Sequence, residues 1–163
     1  MVSEAGSAAP VASETRDLPM RGTGPMPPIR VLVVEDFVPF QDFICSTLMK
    51  KPSLKVIGKA SDGQEAVERA EKLKPDLILL DIGLPTLNGI AAARQIRKVA
   101  PEAKIIFVTQ ESSPDVAQEA LSSGARGYVL KTRAGTDLLA AVEAVLEGSQ
   151  FVSDGLQIPL ATP

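Results

Sequence analysis

The stretch Asp76-Leu77-Ile78-Leu79-Leu80-Asp81-Ile82-Gly83-Leu84-Pro85 decides the fold of this 163-residue chain. Its aliphatic run leads into a turn marked by Gly83 and Pro85, and a short apolar run bounded by turn residues predicts a strand buried on both faces. An aspartate, Asp81, stands at the carboxyl end of that strand. Because burying a carboxylate is costly unless a cation or hydrogen-bond donors meet it, Asp81 is either a turn residue or part of a site.

Composition excludes several classes of function. The net charge of -3, with both signs mixed, argues against a broad nucleic-acid-binding surface. We expect no membrane partner, since no segment has the length of a membrane-spanning helix and the N-terminus lacks the pattern of a secretory signal. The single cysteine, Cys45, excludes an internal disulfide framework and indicates a cytoplasmic location. The chain has no histidine, which excludes histidine-based metal sites and histidine-dependent nucleophiles.

Strand-like and helix-like patterns alternate between Ile29 and Gly148. Five apolar runs rich in β-branched residues are each followed by a segment with apolar residues at helical spacing. The runs begin at Ile29, Leu54, Leu77, Lys104 and Gly127. Strict alternation predicts a doubly wound α/β domain, with a five-stranded parallel sheet in the order 2-1-3-4-5 and five helices on its two faces.

The two ends of the chain lack these periods. Residues 1–28 contain five of the thirteen prolines and no aromatic residue, which predicts a disordered N-terminal leader or a misassigned start codon. Residues 29–148 are expected to form the domain. Residues 149–163 are expected to be a short C-terminal tail or linker.

Polar residues gather at the predicted carboxyl ends of the strands, where open parallel sheets bind ligands. Glu35 and Asp36 follow the first strand, Asp81 follows the third, Thr109 ends the fourth and Lys131 follows the fifth. Three neighbouring carboxylates repel one another unless a cation is present, and Mg2+ accepts oxygen ligands while leaving room for a phosphate. A nucleophilic carboxylate, a metal, an amine and a hydroxyl together predict phosphoryl transfer.

Five motifs then point to one family. They are Val-Leu-Val-Val-Glu-Asp at 31–36, Pro-Asp-Leu-Ile-Leu-Leu-Asp-Ile-Gly-Leu-Pro at 75–85, Asn-Gly at 88–89, Ile-Ile-Phe-Val-Thr at 105–109 and Gly-Ala-Arg-Gly-Tyr-Val-Leu-Lys at 124–131. With these motifs the chain resembles the CheY-like receiver domain of bacterial two-component response regulators, which has a flavodoxin-like fold. The last motif and the ending Glu-Gly-Ser-Gln-Phe-Val-Ser most resemble receivers of the NarL/FixJ/LuxR type.

The resemblance implies a role for each matching residue at the site. Asp81 would accept a phosphoryl group from the phosphohistidine of a sensor histidine kinase. Asp36 would bind Mg2+ directly and Glu35 partly through water, and Asp81 and the Gly83 carbonyl would complete the metal site. Lys131 would pair with the phosphoryl oxygens. The chain would then be a signalling domain and not an enzyme, with at most self-catalysed phosphorylation and autodephosphorylation.

The resemblance also implies a conformational switch. Thr109 would move to hydrogen-bond the phosphoryl group, and Tyr128 would swing inward as Thr109 moves. Gln110 departs from the family pattern, which usually has a small residue at this position. The longer side chain is expected to slow turnover of the phosphorylated state, and Glu111 beside it could bias the attacking water.

Output and partners follow from the same resemblance. Receivers of this type normally precede a helix-turn-helix domain, but too few residues follow Gly148 for one, and none of them is basic. DNA binding would therefore require an output domain outside this chain, and an excised receiver is favoured over a stand-alone regulator. A homodimer is a further expectation.

Two alternative functions remain. A Mg2+-dependent phosphatase of the haloacid-dehalogenase type also uses an aspartate after its first strand, but Glu35-Asp36-Phe37-Val38 lacks the Asp-x-Asp pattern of that class. The other alternative is a degenerate receiver that is not phosphorylated.

Overall fold

Strands and helices alternate along the chain as the sequence predicted. The computed structural model describes residues 26–156, so most of the predicted leader and residues 157–163 lie outside the described part. The strands are β1 (Ile29–Val34), β2 (Leu54–Ala60), β3 (Leu77–Leu80), β4 (Lys104–Thr109), β5 (Gly127–Leu130) and β6 (Phe151–Val152). The helices are α1 (Val38–Leu48), α2 (Gly63–Leu73), α3 (Gly89–Val99), α4 (Pro114–Ser122) and α5 (Ala134–Leu146).

In the described part of the chain, the sheet contains six parallel strands in the order β2-β1-β3-β4-β5-β6. The predicted order of the first five strands and the five helices are confirmed, but the predicted number of five strands is wrong. β6 pairs with the outer edge of β5, with Tyr128 opposite Val152. A strand of two residues is too short to carry an alternating pattern, which is why the sequence did not reveal it. It also lies beyond residue 148, where the domain was predicted to end.

Two apolar cores lie on opposite faces of the sheet, because successive residues of a strand point to opposite sides. One core packs α1 and α5 against alternate strand residues such as Val33, Leu79 and Val108. The other packs α2, α3 and α4 against Leu32, Leu80 and their neighbours. This separation of the helices into two layers leaves the carboxyl ends of the strands open at one edge.

The β3 strand lies at the centre of this arrangement. All four of its residues are fully buried, and it pairs with β1 on one side and β4 on the other. Both faces need apolar cover, which explains the unbroken aliphatic run in the sequence. Asp81, the next residue, therefore lies at the edge of the sheet, directly after the most deeply buried strand.

The Asn-Gly pair holds the loop after β3 in place. Asn88 Oδ1 accepts a hydrogen bond from Ala91 N at 2.9 Å and so caps α3. Gly89 N donates to Ile82 O at 2.8 Å. A β-carbon at position 89 would lie 2.0 Å from Asp81 O, so only glycine allows α3 to approach the backbone of Asp81 this closely.

We therefore expect Gly89→Ala to destabilise the fold by about 1–3 kcal/mol, because the clash is with backbone atoms that cannot move aside cheaply. Urea denaturation measures the free energy of unfolding. Gly135→Ala is the matched control, since a β-carbon at that position of α5 would meet nothing within 4 Å. That control should be neutral or slightly stabilising, because alanine favours helix more than glycine does. Equal stability of the two variants would contradict the close approach.

Candidate functional site

The carboxyl ends of β1, β3, β4 and β5 surround one open cavity of about 400 Å³. Because these strands are parallel neighbours, the residues that follow them meet at one edge although they are far apart in sequence. The structure brings together all of the predicted metal and phosphoryl-transfer residues here. The cavity is lined by Glu35, Asp36, Phe37, Asp81, Ile82, Gly83, Thr109, Gln110, Glu111 and Lys131.

Asp81 is nearly buried, with 5% of its surface exposed. One carboxylate oxygen, Oδ2, accepts a hydrogen bond from Lys131 Nζ at 3.0 Å. The other, Oδ1, accepts from Ile82 N at 2.7 Å. Both contacts come from donors, so the carboxylate of Asp81, a group that can act as a nucleophile, is held in place at both oxygens.

Lys131 lies between two buried carboxylates. Its Nζ is 2.9 Å from Glu35 Oε1 and 3.0 Å from Asp81 Oδ2, and it also lies 4.9 Å from the centre of the Phe40 ring. Burial alone would lower the pKa of Lys131, but the contacts with Glu35 and Asp81 outweigh it and raise the pKa of the amine. The lysine is therefore a fixed positive charge at the centre of the site.

Glu35 has a polar oxygen that its surroundings do not fully satisfy. The residue is 1% exposed, and its Oε2 accepts a hydrogen bond from Phe37 N at 3.0 Å. Its Oε1 is close enough to Lys131 for an ion pair, but it has no hydrogen bond of acceptable geometry among the described residues. Burial, and to a smaller degree the charge of Asp81, raise the pKa of Glu35 despite the opposing contacts with Lys131 and Phe37.

Glu35, Asp36 and Asp81 together form a cluster that fits a hard divalent cation. Each offers one carboxylate oxygen, and the three oxygens lie within 4.8 Å of one another. Asp36 is exposed, which leaves this side of the cluster open to solvent. An all-oxygen ligand set with an open side, in which Glu35 Oε1 has no hydrogen bond among the described residues, fits Mg2+.

Thr109 and Tyr128 are linked through the loop that follows β4. Thr109 is buried, and its Oγ1 accepts a hydrogen bond from Glu111 N at 3.3 Å. Tyr128 is fully buried beneath this loop, and its hydroxyl donates to Glu111 O at 2.7 Å. Burial, followed by the charges of Glu111 and Asp81, raises the pKa of the Tyr128 hydroxyl. Tyr128 thus occupies an inward position, and Glu111 joins it to Thr109.

Some residues of the site were not anticipated from the sequence. Phe37 and Ile82 line the cavity and donate backbone hydrogen bonds to Glu35 and Asp81, while the ring of Phe40 faces Lys131. Backbone donors leave no trace in residue type. The only available signal for Phe37 and Ile82 was their position directly after an acidic residue at a strand end.

Comparison with known proteins identifies the family. The model of the response regulator receiver domain matches residues 31–143, and the chain belongs to this family. It is therefore a signalling domain and not a classical enzyme, which removes the phosphatase alternative.

Among the described residues, no helix has both the length and the apolar character needed to cross a bilayer.

Individual relatives place the chain near regulators of the NarL and LuxR type. It is 35% identical to the response regulator protein VraR of Staphylococcus saprophyticus, over 77% of this chain and 63% of that protein. It is 31% identical to the transcriptional regulatory protein DegU of Brevibacillus brevis, over 76% of this chain and 52% of that protein. The chain thus spans between about half and two thirds of the length of these relatives.

A solved structure gives the same result. The chain resembles a two-component response regulator of the LuxR family from Aurantimonas sp. with a TM-score of 0.76 and 29% identity. The alignment covers 79% of this chain and 92% of that structure. Fold and sequence therefore agree on the family.

The raised pKa of Glu35 predicts a pH-dependent stability. A carboxyl group whose pKa is higher in the folded state favours folding below its unfolded value of 4.5, and this contribution is lost as the pH rises through the folded value. Glu35→Gln removes the ionisation. In metal-free buffer we expect the variant to gain stability relative to the wild type as the pH rises above 4.5. The gain should be about 1.4 kcal/mol for each unit by which the pKa is raised.

Urea denaturation at a series of pH values measures this difference. Glu102→Gln is the control, because Glu102 is exposed and lies outside the cavity. Parallel pH profiles for the wild type and both variants would mean that Glu35 is not held in a costly ionised state.

Proposed function

We propose that this chain is a phosphorylation switch in which Asp81 accepts a phosphoryl group from the phosphohistidine of a sensor histidine kinase. The observation that supports this most directly is the position of Asp81, which is nearly buried, held by donors on both oxygens and open to the cavity. In this reaction the nitrogen–phosphorus bond of the kinase breaks and a bond from an Asp81 oxygen to phosphorus forms. The imidazole of the kinase leaves and takes up a proton.

Mg2+ would be held by Glu35, Asp36 and Asp81, together with the carbonyl of Gly83, which lines the same cavity. The ion would offset the negative charge that gathers when a phosphoryl group approaches the carboxylates. Glu35 would supply the buried Oε1 that has no hydrogen bond in the described part of the chain. Glu35 is buried whereas Asp36 faces the open side, so a water molecule could bridge Glu35 and the ion.

Lys131 and Thr109 would stabilise the transferred group. Lys131 already lies 3.0 Å from Asp81 Oδ2, so its positive charge is in place before the reaction and little reorganisation is required. Thr109 lines the same cavity as Lys131, and its hydroxyl can donate to a phosphoryl oxygen. These two donors meet the negative charge of the transition state from β4 and β5.

The switch would pass from Thr109 to Tyr128. Movement of Thr109 toward a phosphoryl oxygen would shift Glu111, which accepts the hydrogen bond from Tyr128. The position of the tyrosine and of the loop before α4 would then depend on phosphorylation. We propose that this changes the face formed by α4, β5 and α5, which a partner or a second copy of the chain would recognise.

The setting of this switch is part of the proposal. A cytoplasmic location would place the domain with its kinase. The relative DegU carries the description of a transcriptional regulatory protein, so we propose that the domain controls transcription through a DNA-binding domain in the remaining length of such regulators. The residue boundaries proposed for the domain, 29–148, and for its flanking segments also remain predictions.

Phosphorylation can be tested with acetyl phosphate and Mg2+. The wild type should gain the mass of one phosphoryl group, and the adduct should survive acid and be lost in base. Asp81→Asn should gain none, because an amide is not a nucleophile for phosphoryl transfer. Asp76→Asn is the matched control, since Asp76 is an exposed carboxylate before β3, at the opposite end of the strand. An unchanged mass for the wild type, or an adduct on Asp81→Asn, would refute the proposal and favour a degenerate receiver.

Gln110 is proposed to slow turnover of the phosphorylated state. Its side chain is exposed beside Thr109 and lines the entrance to Asp81. We expect Gln110→Ala to speed both phosphorylation and dephosphorylation by roughly threefold, because a smaller side chain admits phosphodonor and water more readily. Loss of label from an adduct made with radiolabelled acetyl phosphate measures the rate of dephosphorylation.

Gln118→Ala is the control for this effect, because Gln118 is an exposed residue of α4 outside the cavity lining. Rates for Gln110→Ala equal to those of the wild type would show that this side chain does not limit access.

A further inference from the structure

Ser153 links the segment after β6 to β5, the strand that directly precedes Lys131. It follows β6 and is 2% exposed. Its backbone N donates to Tyr128 O at 2.9 Å. Its hydroxyl oxygen accepts from Leu130 N at 3.1 Å and donates to Asp137 Oδ2 at 2.7 Å. A hydroxyl is the smallest group that can accept and donate at the same time, so Ser153 satisfies both a buried backbone donor and a buried carboxylate.

Asp137 connects Ser153 to Arg133, which ends the short 3-10 turn Lys131–Arg133. Its Oδ2 also accepts from Arg133 Nε at 3.1 Å, and its Oδ1 accepts from Thr136 Oγ1 at 3.2 Å. Burial would raise the pKa of Asp137, but the hydrogen bonds from Ser153, Arg133 and Thr136 outweigh burial and lower it. The carboxylate is therefore an ionised anchor on the first turn of α5.

Lys131 lies between these two anchor points. It opens a short 3-10 turn, Lys131–Arg133, with Leu130 immediately before it. Ser153 accepts from the backbone N of the residue before the turn, and Asp137 accepts from the side chain of the residue that ends it. The Lys131 side chain then crosses the edge of the sheet to Asp81 and Glu35. Its direction follows from the backbone that continues from Leu130.

We infer that Ser153, acting through Asp137 and Leu130, is a positioning residue that holds Lys131 for phosphoryl transfer to Asp81. This inference rests on the proposed function, since it concerns the same site. Ser153 lies outside residues 31–143, the part of the chain that matches the family model. The segment after α5 is thus part of the functional unit and not only a connection to whatever follows.

The consequence is specific to the lysine side of the site. Glu35, Asp36 and Asp81 follow β1 and β3, and neither strand pairs with β6. Loss of the Ser153 hydroxyl should therefore slow phosphorylation through Lys131 and not through a shift of the strands that carry the three carboxylates. We expect the rate to fall about tenfold, because small displacements of a charged group from its productive position cost one or two orders of magnitude.

The test uses the full chain with acetyl phosphate and saturating Mg2+, and it measures the initial rate of phosphorylation at a temperature below the Tm of every variant. Ser153→Ala should be slow, and Ser153→Thr should restore the rate because it keeps the hydroxyl. Ser149→Ala is the matched control, since Ser149 is exposed in the same segment and its side chain makes no hydrogen bond among the described residues. A wild-type rate for Ser153→Ala would overturn the inference.

A double-mutant cycle with Lys131→Ala separates positioning from general stability. If Ser153 acts through Lys131, Ser153→Ala should cause no further loss of rate when Lys131 is already absent. An additive loss would indicate a merely structural role and overturn the inference. If Ser153→Ala does not fold, Asp137→Asn enters the same cycle with the same two outcomes. Absence of any adduct on the wild type would overturn the proposed function as well, whereas failure of the Ser153 variants alone would not.

Discussion

The contact of Lys131 with Glu35 and Asp81 is the interaction on which the rest of the site depends. Two buried carboxylates within a few ångströms of each other are unfavourable unless a cation lies between them. The ammonium group meets both, at 2.9 and 3.0 Å. This contact also explains why β1, β3 and β5 must end at the same level, because the three side chains come from three different strands.

One ammonium group does not neutralise the site completely. Asp36 adds a third carboxylate, and Glu35 retains a buried oxygen without a hydrogen bond in the described part of the chain. The remaining negative charge is what a divalent cation would offset, and the open side leaves room for its water ligands. The same charge balance explains how the site could receive a phosphoryl group, which brings further negative charge to a place already rich in carboxylates.

Strand β5 connects this chemistry to the surface. Tyr128 reaches the β4–α4 loop through Glu111, and its backbone carbonyl accepts from Ser153 in the segment after α5. Lys131 follows directly after the last residue of this strand. All four residues of β5 are buried. The loop before α4 and strand β6 therefore both contact the strand that leads into Lys131.

The sequence by itself determined the alternation of strands and helices, the order of the first five strands and the set of polar residues at the strand ends. It could do so because burial on both faces leaves long aliphatic runs such as Leu77–Leu80, and because a parallel sheet collects its carboxyl ends at one edge. Tertiary structure alone decided the pairing of Lys131 with Glu35 and the addition of β6. These depend on distances between residues far apart in the chain, or on a two-residue strand stabilised by the hydroxyl of Ser153, and neither leaves a periodic pattern in the sequence.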